Sequence, residues 1–199
     1  MTLYRTLTDE STIPSRLMTD RLILRVPRGG DGPMLHAAIC DTFHTLTPWM
    51  PWARRMPTIA ESETFARESA ARFRNREDAQ YLVFHQQSGP LLGTISLHSI
   101  DWSVPRFEVG YWLRNSAEGH GYITEAVRAL TALCFEQLGA ERMEIRCDSR
   151  NTRSAAVAQR AGYQLEAVLR RQARDNAGAL RDTLIFVHFP YETAWNRAL

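Results

Sequence analysis

Residues 113–125 read Leu-Arg-Asn-Ser-Ala-Glu-Gly-His-Gly-Tyr-Ile-Thr-Glu, with Gly119 and Gly121 one residue apart. Glycines at that spacing, where a strand gives way to a helix, let the backbone turn tightly and leave amide N–H groups free at the helix start. Such a terminus attracts phosphate, because unpaired donors and the positive end of the helix dipole coincide there. The same residues also suit a plain tight turn, and their types alone leave both readings open. Two nucleotide loops are excluded. Thr124 stands where a dinucleotide fingerprint needs its third glycine, and no Gly-Lys-Ser/Thr follows as in a Walker loop. A pyrophosphate on a different carrier stays compatible with the pattern.

Asn151 and Ser154 form a second pair with a chemical reading. Asn at a helix start accepts a hydrogen bond from the first turn, and Ser three positions on fits the same capping pattern; a role on a ligand is the alternative. The three cysteines, Cys40, Cys134 and Cys147, are odd in number and include no Cys-x-x-Cys pair, so neither a disulfide framework nor a zinc site is expected. Cys134 falls on the apolar face of a helix, where a buried thiol is inert, and Cys147 reads as structural at the end of a strand. The six histidines include no pair spaced to put two ligands on one helical face, so no metal is expected. His85 and His98 receive no role. Trp49, Trp52 and Trp102 sit in loop-like segments, where flat rings either shape an acceptor pocket or cap the core.

The elements that must position these residues follow from periodicity. Arg21 to Val26 alternates as a half-buried strand, and Pro27 with the glycines after it closes it. Pro33 to Phe43 and Ser62 to Arg76 read as helices, with an irregular Pro-Trp segment over 45–57 between them. Tyr81 to His85 and Leu91 to His98 flank Ser88-Gly-Pro as a hairpin, and Phe107 to Leu113 continues the meander. From Ile123 to Leu138 the apolar residues follow the i, i+3, i+4, i+7 rule, and Gly139 ends that helix. Met143 to Cys147 is a strand, Asn151 to Ala161 a helix stopped by Gly162, and Leu165 to Arg174 with Leu180 to Phe189 a last hairpin. Strand, helix, strand from Phe107 to Cys147 makes a crossover, so those strands should run parallel. The expected architecture is α/β (α+β by some conventions), a mixed sheet of six or seven strands with helices on both faces.

The 199 residues, 44% hydrophobic and 23% charged, suit one domain, 1–199. A net charge of +2 implies no nucleic-acid partner. No apolar run has the ~20 residues of a membrane span, and Met1-Thr-Leu-Tyr-Arg-Thr lacks the apolar stretch of a signal peptide, so a cytoplasmic location and no membrane partner are expected.

Four segments together resemble a known pattern: Glu108-Val-Gly-Tyr-Trp-Leu, Gly119-His-Gly-Tyr-Ile-Thr-Glu-Ala, Asn151-Thr-Arg-Ser and Arg160-Ala-Gly-Tyr. They are similar to the GNAT N-acetyltransferases, and within these to the ribosomal-protein alanine and serine N-terminal acetyltransferases of the RimJ/RimL-like group. Leu17-x-Thr-x-Arg-Leu-Ile-Leu-Arg and Pro48-Trp-Met-Pro-Trp extend the likeness over residues 17–189. Ser116 stands where that family's phosphate loop often begins with Gln or Arg.

The resemblance implies a GNAT fold, mostly antiparallel with a central splay, and acetyl-CoA as co-substrate. It implies that the backbone of Glu118, Gly119, His120, Gly121, Tyr122, Ile123 and Thr124 holds the pyrophosphate. Tyr111, Trp112 and Leu113 would present main-chain groups to the pantetheine arm and the acetyl carbonyl, and Asn151 would bond the pantetheine. Ser154 would protonate the thiolate. Glu108, on the strand facing the acetyl group, is the candidate base; pairing with an arginine or binding the substrate ammonium is the alternative. Trp49, Trp52 and Trp102 would border the acceptor. That acceptor is a primary amine, either a protein or peptide N-terminus or a small molecule such as an amino acid, polyamine, antibiotic or aminoacyl-nucleotide. A non-catalytic acyl-CoA-binding module is the reading from another class. The protein would act as a monomer or homodimer.

Overall fold

Short alternating segments pair into a sheet because each buries one side of its pleat against a helix pair. In the computed structural model these are β1 (Arg5–Thr6), β2 (Arg16–Met18), β3 (Leu22–Arg25), β4 (Ala79–His85), β5 (Leu91–Asp101), β6 (Arg106–Leu113), β7 (Arg142–Asp148), β8 (Gln164–Arg174) and β9 (Leu180–His188). The structure describes residues 5–6, by backbone alone, with 13–87 and 89–190. Met1 and its neighbours, read for a leader, and Ser88 of the first hairpin turn lie outside the described residues.

The nine strands follow the order β1-β2-β3-β4-β5-β6-β7-β9-β8. Every neighbouring pair is antiparallel except β6 and β7, the expected crossover. Two strands exceed the expected seven. β1 and β2 span two and three residues, too short to show a period in sequence, and they extend the sheet beyond β3.

Helices α1 (Gly32–Leu46) and α2 (Ile59–Arg74) cover one face, α3 (Tyr122–Gln137) and α4 (Thr152–Arg160) the other. The pleat of β4 sorts them. Tyr81 and Val83 join a cluster with Leu130, Leu133 and Val157, whereas Leu82 and Phe84 pack with Leu35, Ile39 and Phe65. Helix α2 starts before the expected Ser62, because Thr58 and Glu61 form a reciprocal capping box. Helix α1 runs into the predicted irregular segment as far as Leu46, two residues before Pro48 breaks it. Among the described residues no helix is long and apolar enough to cross a membrane.

One departure from regular pairing matters most for function. Strands β6 and β7 pair only at Arg106↔Arg142, Phe107↔Met143 and Glu108↔Glu144. Beyond Glu108, β6 stays with β5 as far as Leu113, and β7 stays with β9 as far as Asp148. The sheet therefore opens into a V whose arms are Val109–Leu113 and residues 145–148.

Candidate active site

The open edge of β6 leads into the glycine turn. After a short 3-10 turn at Asn115–Ala117, Gly119 and Gly121 both adopt left-handed φ, +80° and +76°, which L side chains rarely accept. Gly121 is the N-cap of α3 and supplies no side-chain cap, so the first-turn amides keep free donors. Thr124 is 7% exposed, and its buried Oγ1 has no hydrogen-bond partner in the protein. A left-handed cradle, an uncapped helix terminus, an orphaned buried hydroxyl and an unpaired strand edge all suit an extended pyrophosphate-bearing carrier.

Arg21 fixes this turn from the side. Its guanidinium donates to the His120 carbonyl at 3.0 Å, pairs with Glu125 at 2.6 Å and lies 4.9 Å over the Tyr122 ring. Burial works to raise the Glu125 carboxyl, but the bonds from Thr19 and Arg21 outweigh it and hold the group below its ordinary value. The His120 and Tyr122 rings stack at 5.4 Å, so both side chains brace the turn while their amides stay on the open side. Glu118 pairs with Arg153 of α4 at 2.7 Å, linking the two helix N-termini.

At the inner end of the V lies a cavity of about 940 Å³. Glu108, Tyr111, Trp112, Asn151, Ser154, Trp49 and Trp52 all line it, so the structure brings together residues from three separate segments. Asn151 is the N-cap of α4 and accepts from the Ser154 amide at 3.1 Å, the capping role that residue types alone suggest. Ser154 faces β6: its Oγ lies 3.0 Å from the Tyr111 hydroxyl, which is 3.2 Å from the Ser154 carbonyl. Burial pushes the Tyr111 phenol well above its ordinary value, so it stays protonated beside Ser154. The resemblance assigned Tyr111 only main-chain groups; its side chain reaches across the V as well.

Glu108 points to the opposite face of the sheet from Tyr111, as alternation along β6 requires. Its carboxylate lies 3.3 Å from His98 Nε2 and 3.8 Å from Arg146 Nε. Arg146 has a nearer partner in buried Glu144, at 3.0 Å. Around Glu108 the cavity wall carries four carboxylates, of Glu61, Asp78, Glu108 and Asp148, and four guanidiniums, of Arg55, Arg72, Arg146 and Arg181. Further out it is aromatic: Trp52 is half exposed, with its ring 6.4 Å from that of Trp112.

One expected site residue, Trp102, falls elsewhere. Trp102 is not among the cavity-lining residues; its ring lies under Arg76, 4.4 Å away, and edge-on to Phe107. Alternation in the β5–β6 turn carries no information about which end of the sheet a loop occupies. Cys147 does line the cavity and touches Ser154, but burial raises its thiol, as it does more strongly for Cys134. Tyr163 packs in the core with its hydroxyl on Thr131 at 2.7 Å. His98 and Asn176 gave no usable sequence signal. Asn176, in the β8–β9 turn, donates to the carbonyls of Thr47 and Met50 at 2.7 and 2.9 Å, clasping the tryptophan segment from across the cleft.

A mixed sheet split between parallel strands, with a glycine turn opening one helix and a cavity at the V, defines a transferase that takes its group from a pyrophosphate-linked carrier. Residues 21–164 match the acetyltransferase (GNAT) domain model, so the chain belongs to that family. It is 28% identical over 148 residues to Bacillus subtilis (strain 168) YdaF, provisionally named a ribosomal N-acetyltransferase, covering 73% of this chain and 79% of that one. It is 29% identical over 127 residues to the ribosomal-protein-serine acetyltransferase of Escherichia coli (strain K12), covering 62% and 70%. The microcin C7 self-immunity acetyltransferase MccE, solved with acetyl-CoA and AMP, superposes with a TM-score of 0.83 at 25% identity, covering 91% and 99%. The protein is an acetyl-CoA-dependent N-acetyltransferase. Among the described residues no cluster of three or more His, Cys, Asp or Glu is placed to hold a metal.

Proposed function

We propose that the acceptor is the α-amine of a protein or peptide N-terminus and that Glu108 and Ser154 carry the proton transfers. The carrying observation is that these two residues, on different elements, line one cavity at the point where β6 and β7 part. Acetyl-CoA supplies a thioester whose carbon accepts the amine and whose sulfur leaves with the bond's electron pair. Glu108 takes a proton from the amine nitrogen as the N–C bond forms. Ser154 gives its Oγ proton to the departing sulfur and regains one from solvent, and the Tyr111 hydroxyl beside it keeps Ser154 oriented. Amides of Glu118 to Thr124 bind the pyrophosphate, with the Thr124 hydroxyl and the Asn151 side chain as further polar contacts. Main-chain groups of Tyr111, Trp112 and Leu113 pair with the pantetheine arm.

Relatives named for ribosomal-protein acetylation favour the peptide acceptor. A small-molecule amine is the second reading, favoured by the Trp49, Trp52 and Trp112 wall and by the likeness to MccE, whose structure holds AMP. Thiol release from acetyl-CoA should be measured against Ser- and Ala-starting peptides, polyamines, amino acids and aminoacyl-nucleotide mimics. Turnover confined to the peptides is expected; turnover confined to a small amine would overturn the peptide reading. Coenzyme binding with no turnover on any amine would favour a binding module.

A further inference from the structure

Polar groups face both nitrogens of the His98 ring. His98 on β5 stands directly across from Glu108 on β6, and both line the cavity. Its Nδ1 lies 3.4 Å from Ser96 Oγ, which in turn is 3.4 Å from the Gly110 carbonyl. When the Ser96 hydroxyl donates to the Gly110 carbonyl, Ser96 Oγ accepts from a protonated Nδ1. The lone-pair nitrogen is then Nε2, which faces Glu108 Oε1 at 3.3 Å. A carboxylate and a lone-pair nitrogen in that position can share one added proton. Gly110 makes room for this arrangement, since a Cβ there would stand 2.8 Å from His98 Cε1.

The surrounding charges are already committed. From β7, Arg146 lies 3.8 Å from Glu108 but is held at 3.0 Å by Glu144. On the β4 side, Asp78 precedes Ala79, whose register partner Leu97 precedes His98; Asp78 is held at 2.6 Å by Arg72 of α2. Asp101 and Arg106 pair at 3.9 Å at the end of the hairpin. With Arg72 and Arg146 engaged by Asp78 and Glu144, the His98–Glu108 pair is left as the place for an added proton.

We propose that His98 and Glu108 accept the amine proton as one unit, with the proton passing from the Glu108 carboxyl to His98 Nε2. The proposal rests on the reading of Glu108 as base. The amine N–H bond breaks, its electron pair remains on nitrogen, and a new Nε2–H bond leaves an imidazolium beside an ionised carboxylate. Solvent removes that proton before the next turnover. This makes His98 the residue that holds the proton, and the pH response of the enzyme a property of the pair.

The test compares kcat/KM against pH for the wild type, His98→Gln, Gly110→Ala and Glu108→Gln, with acetyl-CoA and a Ser- or Ala-starting peptide. Gln at 98 can still bond Glu108 but has no lone-pair nitrogen for the proton. An ordinary imidazole titrates about two units above an ordinary glutamic acid, so the acid limb in His98→Gln should move down by about one pH unit or more. Turnover at the optimum should fall about ten-fold, with KM for acetyl-CoA unchanged. Gly110→Ala, which displaces the ring, should move the limb the same way. Acid limbs that superimpose on the wild type, together with an inactive Glu108→Gln, would overturn the pair while leaving Glu108 as base. Full turnover by Glu108→Gln would instead remove the base reading itself.

Discussion

In the proposed reading the working groups at the α3 end of the V are main-chain amides, held by two left-handed glycines and braced from outside by Arg21. At the cavity end they are side chains: Glu108 and His98 on one face of the sheet, Tyr111 and Ser154 on the other, the tryptophans across the opening. The coenzyme end depends on local conformation, which a short stretch of chain can specify. By contrast, the acceptor end depends on β5, β6, α4 and the 45–57 segment meeting, and no single stretch specifies that meeting. Substitutions at the two ends should therefore leave different signatures.

The largest effect belongs to the cavity end. Glu108→Gln should lower kcat/KM about 10²–10⁴-fold while the Kd for coenzyme A, read by calorimetry, stays at the wild-type value. A matching loss of coenzyme affinity would show that the two ends are not separable. Ser154→Ala should lower kcat less, about ten-fold to a hundred-fold, because a thiolate is a good leaving group even without a donor. Its acid limb should stay where it is, which distinguishes the α4 side of the V from the Glu108 side.

Gly121→Ala tests the coenzyme end. A side chain in the left-handed region costs about 1–2 kcal/mol, so the Kd for coenzyme A should rise about ten-fold. The pH profile of the remaining activity should not move. If kcat fell with binding unchanged, the turn would be serving the chemistry and the contrast between the ends would fail.

The smallest effect concerns the brace. Arg21→Ala removes an ion pair that is half exposed on the arginine side, and should cost about 1 kcal/mol or less in urea denaturation. Glu125 is held below its ordinary value in the folded state, so this contribution is present above the unfolded carboxyl value of about 4.3 and is lost as pH falls through the folded one. The stability gap between wild type and variant should thus be open at pH 7 and narrow below about pH 4. A gap that widened in acid would mean that another group supports the turn.

Much of the scaffold was legible in the sequence because its periods are long. Ile123 to Leu138 gave α3, and strand, helix, strand over 107–147 gave the parallel pair. β1 and β2 left no trace, since two or three residues cannot display alternation. The start of α2 needed the Thr58–Glu61 capping box rather than apolar spacing. Glu108, Ser154 and Asn151, named through likeness to a family pattern, line the cavity, as do Trp49 and Trp52. Trp102 was named by the same reasoning and lies beside Arg76 and Phe107 instead.

By itself the sequence determined whatever a few consecutive residues can impose: the glycine turn, the α4 cap at Asn151, the alternation that puts Glu108 and Tyr111 on opposite faces of β6. Backbone conformation and the two-residue period are local, so they survive without knowledge of neighbours. Only the tertiary structure decided where β6 leaves β7, that His98 faces Glu108 across the strand pair, that the Tyr111 hydroxyl reaches Ser154, and that Asn176 clasps the tryptophan segment. Each of these is a register or contact between segments far apart in the chain, and it is fixed by packing of the whole sheet against its helices rather than by any residue type.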